Sequence, residues 1–96
     1  MNGDEPMPTI AVWLMDGERV AQALQDSRER LDGADGEVVL DFGLVRRIDP
    51  AALRALEELA AGADAREIKI RLRGVSPDVY TVMKLVKLAP RFSFLT

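Results

Sequence analysis

Glu37-Val38-Val39-Leu40-Asp41-Phe42-Gly43-Leu44-Val45-Arg46-Arg47-Ile48-Asp49-Pro50-Ala51-Ala52-Leu53 is the stretch around which the rest of the chain is organised. Val38, Leu40 and Phe42 alternate along a strand, so all three lie on one side of it. After the break at Gly43 to Ile48 the period changes. Leu53, Leu56, Leu59 or Ala60, and Ala63 recur at helical spacing, which predicts a helix from Pro50 to about Asp64. Its start is well specified. Asp49 suits the N-cap, where a carboxylate accepts free amides of the first turn, and Pro50 suits the first helical position, where its missing N–H costs nothing. The unit is strand, loop, helix.

Working outward, Glu67-Ile68-Lys69-Ile70-Arg71-Leu72-Arg73 alternates strictly, with Ile68, Ile70 and Leu72 on one face and charges on the other. This second strand therefore faces water on one side. Gly74-Val75-Ser76-Pro77 repeats the cap signal of Asp49-Pro50 and predicts a helix from Asp78 to Leu88, with Val79, Val82, Met83 and Val86 inward and Tyr80 and Lys84 on its surface. Pro90 ends it, and Phe92 to Leu95 forms a short last strand. Towards the N-terminus, Thr9 to Met15 is a β-branched and aromatic run of strand length, closed by Asp16-Gly17. Both parities of this strand are apolar, so either Trp13 and its partners or Val12 and Leu14 stay uncovered, a candidate patch for partners or for a second copy. Val20, Leu24 and Leu31 mark one stripe of an amphipathic helix over Glu18 to Leu31, which Asp32 to Gly36 closes. Met1 to Pro8, with Gly, acids and two prolines, reads as a flexible leader ahead of one domain spanning 9–96.

The order is thus βαβαβαβ. Right-handed crossovers make it a small α/β fold with a mostly parallel four-stranded sheet. The charged side of Glu67 to Arg73 puts all three helices on one face and leaves the other open, where Glu37 and Asp41 can pair with Lys69 and Arg71.

Composition narrows the function. The 96 residues, 48% hydrophobic with a net charge of -3, are those of an ordinary globular domain. Mild acidity with intermixed signs argues against a nucleic-acid surface. With no Cys and no His, disulfides, thiol nucleophiles, Cys/His zinc sites and imidazole chemistry are excluded. No catalytic residue, metal ligand or cofactor site is assigned, since Asp49 is a cap before it is a catalytic acid. There is no signal-peptide core and no apolar run of the roughly 20 residues that span a bilayer, so the expected compartment is the cytoplasm.

The run from Val38 to Leu53, followed by Gly74-Val75-Ser76-Pro77 and Leu85-Val86-Lys87-Leu88, resembles a STAS domain, the module of sulfate transporters and anti-sigma-factor antagonists. The likeness extends from Ala11 to Leu95. It implies a STAS-like fold and a non-enzymatic regulatory role in which a protein partner, of the anti-sigma or switch-kinase type or a membrane transporter subunit, docks at the helix start and neighbouring loops. In this chain those positions are Arg46, Arg47, Asp49, Pro50, Ala51, Arg54, Glu57 and Ser76. In the family the strand leads to an Asp-Ser-Ser-Gly-Leu-type turn whose first Ser a partner kinase phosphorylates. Here Asp49 is kept, but Pro50 stands at the Ser position and Ala51 and Ala52 follow, so the usual switch is expected to be missing. The alternative from another class is a sensor of a small anionic ligand or nucleotide, using Arg46, Arg47 and Arg73 at the loop edge, where open α/β sheets bind ligands. No P-loop or GxGxxG pattern supports it.

Overall fold

The computed structural model describes residues 11–34 and 36–95. Four strands, β1 (Ala11–Leu14), β2 (Glu37–Asp41), β3 (Lys69–Arg73) and β4 (Ser93–Leu95), form one sheet in the order β1-β2-β3-β4, parallel throughout. Helices α1 (Val20–Arg30), α2 (Pro50–Ala65) and α3 (Pro77–Leu85) connect them. Each strand is laid beside the one before it, so identical right-handed crossovers bring every helix to the same face. The leader expected at Met1 to Pro8 and the start of the first strand at Thr9 and Ile10 lie outside the described residues.

The core lies between that face and the helices. Val38, Leu40, Ile70 and Leu72 point into it from the central strands, against Leu24 and Leu31 of the first helical segment, Leu56 and Leu59 of α2, and Val79 and Met83 of α3. Small residues on α2 set its spacing from α1. Gly62 is buried, and a Cβ there would already touch the Leu31 side chain at 3.4 Å. On β1, Trp13 faces the helices, half-buried beneath the Arg30 guanidinium 5.5 Å from its ring centre, and Val12 and Leu14 take the open face.

That open face carries the expected cross-strand ion pairs, with different partners. Glu37 reaches Arg71 at 2.7 Å and Asp41 reaches Arg73 at 3.0 Å, while Lys69, which stands opposite Glu37 in the register, pairs with neither. Arg73 stands directly opposite Asp41, whereas Arg71, opposite Val39, is long enough to cross diagonally to Glu37. Beneath these pairs Val39 is only 6% exposed, a buried aliphatic on the face that carries no helix.

Two helix ends differ from the reading above for one reason. Glu67 (φ 56°) and Lys87 (φ 62°) adopt the left-handed conformation usually given to glycine. After α2, Ile68 N–H donates to the Ala63 carbonyl (2.9 Å) and Glu67 N–H to that of Asp64 (3.2 Å). After α3, Leu88 N–H donates to the Met83 carbonyl (2.8 Å) and Lys87 N–H to that of Lys84 (3.1 Å). Both are Schellman stops, each closed by a buried aliphatic, Ile68 or Leu88. Glu67 therefore ends a helix instead of opening a strand. α3 stops at Leu85, Val86 is exposed instead of inward, and Pro90 falls in a separate 3-10 turn, Ala89–Arg91.

Candidate functional site: the edge of the β2–α2 loop

In a fully parallel sheet the loops after β1, β2 and β3 emerge at one edge, together with the helix N-termini. Three kinds of contact lock those loops together. Met15 N–H donates to the Asp41 carbonyl (2.9 Å) and Phe42 N–H to that of Arg73 (2.8 Å), extending the ladder past the strand ends. The Asp41 carboxylate accepts from Gly43 N–H (2.8 Å) and from Arg73 Nε (3.1 Å), so one side chain ties the β2–α2 loop to the end of β3. The Gly43 amide, then the Arg73 guanidinium, hold the Asp41 carboxyl below the usual carboxylate range, against an opposing push from burial. Finally, Gly17 presses on the β2–α2 loop so closely that a Cβ there would lie 2.0 Å from the Leu44 carbonyl oxygen.

On this frame the β2–α2 loop turns at Gly43 and Leu44, with Val45 N–H donating to the Phe42 carbonyl (2.9 Å). Val45 is buried and Leu44 is 59% exposed. Arg46 and Arg47 are exposed and border two open grooves. One is shared with Asp16, Gly17, Glu18 and Leu44 on the α1 side, and the other with Ile48, Asp78, Val79 and Val82 on the α3 side. Asp49 caps α2 by accepting from Ala52 N–H at 2.7 Å, which commits one carboxylate oxygen to structure. Pro50, Ala51, Arg54 and Glu57 are exposed at i, i+1, i+4 and i+7 of the same helix, so they follow one outer stripe. Ser76 stands half-buried on the next loop and caps α3, its Oγ accepting from Val79 N–H at 3.2 Å.

Of the eight residues singled out in the sequence, two line the grooves and the others are placed by their elements. Arg46 and Arg47 lie on the loop, Asp49 to Glu57 along α2, and Ser76 beside the α3 start that walls the second groove. Among the described residues, the ion-paired arginines are Arg66, Arg71, Arg73 and Arg91, so Arg46, Arg47 and Arg54 have no carboxylate partner. Arg73, grouped above with the loop arginines, is occupied by Asp41. No cluster of three or more acidic groups able to hold a metal occurs among the described residues, and none of their helices is long and apolar enough to cross a membrane.

Leu44 and the α3 surface went unseen in the sequence. Leu44 continues the parity of Val38, Leu40 and Phe42, and only the turn at Gly43 throws it outward. Leu85 has a detectable signal, because adjacent Leu85 and Val86 cannot both face the core from one helix.

Residues 14–94 match the family model described as Mlab, STAS domain. The chain belongs to the STAS domain family. Among solved structures, this STAS domain is similar to the crystal structure of a sulfate transporter family protein from Wolinella succinogenes. The TM-score is 0.72 at 21% identity, covering 88% of this chain and 75% of that one, a likeness of fold. No curated protein matches it. The α/β architecture with four parallel strands and helices on one face is that of the family, and Pro50 sits where the resemblance places a phosphorylated serine.

Proposed function

We propose that this STAS domain is a non-enzymatic, cytoplasmic regulatory module that docks a partner protein through the β2–α2 loop and the outer stripe of α2. The observation that carries the reading is the pairing of an exposed Leu44 with three arginines, Arg46, Arg47 and Arg54, that have no internal partner among the described residues. An exposed leucine beside two unpaired arginines, with Arg54 further along α2, suits a partly apolar protein surface with acidic groups facing the arginines, while Asp16 and Glu18 line the other side of the Leu44 groove. Lack of a hydroxyl at Pro50, Ala51 and Ala52 supports docking that phosphorylation of this turn does not switch. The partner is of the anti-sigma or switch-kinase type, or a subunit of a membrane transporter, a class in keeping with the name of the Wolinella succinogenes protein.

The test is charge reversal. Arg47→Glu and Arg54→Glu change exposed side chains and should move stability by less than about 0.5 kcal/mol. Each should nevertheless weaken capture of the native partner, identified by mass spectrometry after crosslinking in cells. Unchanged capture by both variants would place the interface elsewhere. The sensor alternative predicts instead that a nucleotide raises the melting temperature with no protein recovered.

A further inference from the structure

The groove between the β2–α2 loop and α3, of about 430 Å³, has an aliphatic floor of Ile48, Val79 and Val82, with Arg46 and Arg47 on one bank. It does not end where the loop ends. Leu85 and Val86 stand three and four residues beyond Val82, on the same side of the helix, and are 77% and 44% exposed. From Val82 to Val86 this makes an accessible aliphatic strip of about one helical turn, roughly 6 Å long, that continues the floor of the groove. Its cations are Arg46 and Arg47, which have no carboxylate partner among the described residues. Its one acid, Asp78, lies in the first turn of α3, where the helix N-terminus favours a carboxylate.

Resting on the docking role proposed above, we propose that this groove seats an amphipathic helix of the partner protein, with aliphatic side chains on the face laid along Ile48, Val82 and Leu85, and Asp or Glu on the flank facing Arg46 and Arg47. The walls are a helix and a loop, with no open strand edge to add a strand to, so the fitting mode is helix-in-groove. A second copy of this chain does not supply that helix. The aliphatic faces of α1 and α2 are spent in the core, the outer stripe of α2 offers only alanines, and α3 of a second copy would bring Lys84 and a single acid, Asp78, against Arg46 and Arg47.

The experiment introduces a photo-crosslinking amino acid separately at positions 54, 82 and 85 of the full chain in its native cells, and maps the adducts by mass spectrometry. Positions 54 and 85 should both label one protein. The segment joined to position 85 should be an acidic amphipathic helix, and a synthetic peptide of that segment should bind the wild type and lose about tenfold in affinity with either Leu85→Asp or Arg47→Glu, the loss typical of a removed interface anchor. An adduct from position 54 but none from 82 or 85 overturns the groove and leaves the docking role standing, whereas no adduct at any position removes both. A lipid adduct, a basic segment, or peptide affinity unchanged in both variants overturns the groove.

Discussion

Replacing Gly17 with alanine tests whether the loop edge is the close-fitted unit described above. The added Cβ would sit 2.0 Å from the Leu44 carbonyl oxygen and 2.9 Å from its carbon, where ordinary contact begins at 3.4 Å. The obstacle is backbone, so no rotamer change relieves it, and either the β1–α1 turn or the whole β2–α2 loop has to withdraw by more than 1 Å, roughly the gap between those distances. Overpacking of this kind costs about 1 to 3 kcal/mol. In a domain of this size each kcal/mol lowers the melting temperature by about 4 to 8 °C, so a fall of about 4 to 24 °C is expected by circular dichroism or calorimetry. Gly33→Ala is the matched control, because nothing lies within 4 Å of a Cβ at that position. Amide shifts in Gly17→Ala should concentrate at Leu44, Val45 and Arg46. A melting temperature within about 2 °C of both wild type and control, set against the cost above, would refute the close approach.

Asp41→Asn keeps an acceptor for Gly43 but loses the charge that holds Arg73, and should cost about 1 to 2 kcal/mol at neutral pH. Because the native Asp41 pKa is lowered, its contribution is full above the unfolded value of 3.8 and is lost as the pH falls through the lower native value. The stability gap between wild type and variant, read by urea titration, should therefore close on acidification; a gap constant down to about pH 2 would contradict the assignment. Lys87→Gly relieves a left-handed residue at the end of α3 and should stabilise by about 0.5 to 1 kcal/mol; destabilisation would show that the Schellman stop is wrongly placed. Wild type incubated with ATP and a bound kinase-type partner should gain no phosphate by intact mass, and Pro50→Ser should gain one. Ser27, 2% exposed and donating to the Ala23 carbonyl at 2.8 Å, is out of reach, so a phosphate mapped to Ser76 is the result that would relocate the switch. If the apolar rim of the open sheet face self-associates, Leu14→Glu should abolish a dimer seen by light scattering at micromolar concentration; a wild type that is monomeric throughout removes the idea.

Element order, parallel topology and the placing of all helices on one face follow from signals that are local and redundant. Alternation at Ile68 to Leu72 marks a strand with one wet face, and the Asp49-Pro50 and Ser76-Pro77 pairs each combine a side-chain cap with a fixed φ. Helix ends were harder to read because the usual glycine is missing. Glu67 and Lys87 carry no sign of a left-handed conformation, which the burial of Ile68 and Leu88 imposes from outside the local sequence. Of the site, the arginines and the cap could be read directly, since exposure of charge is the default. The apolar part is legible only at Leu85, which cannot share the core face with its neighbour Val86; Leu44 and Val86 look like core until a turn or a helix stop turns them out. The choice of Arg71 over Lys69 as partner for Glu37 likewise depends on side-chain reach across the sheet.

A sheet that keeps every helix on one side gives the molecule two independent fronts. The docking proposed along the β2–α2 loop and α3 would use the helical side and the loop edge, while the far side, with its Glu37–Arg71 and Asp41–Arg73 rows and the Val12 and Leu14 rim, stays open to solvent. Contacts on the two fronts do not compete for area. The Asp41–Arg73 pair belongs to both: it lies on the far face, yet its carboxylate also holds the Gly43 amide that starts the docking loop. Anything that bound the far face and drew Arg73 away would loosen that loop, so occupancy of one front would be felt as weaker grip at the other.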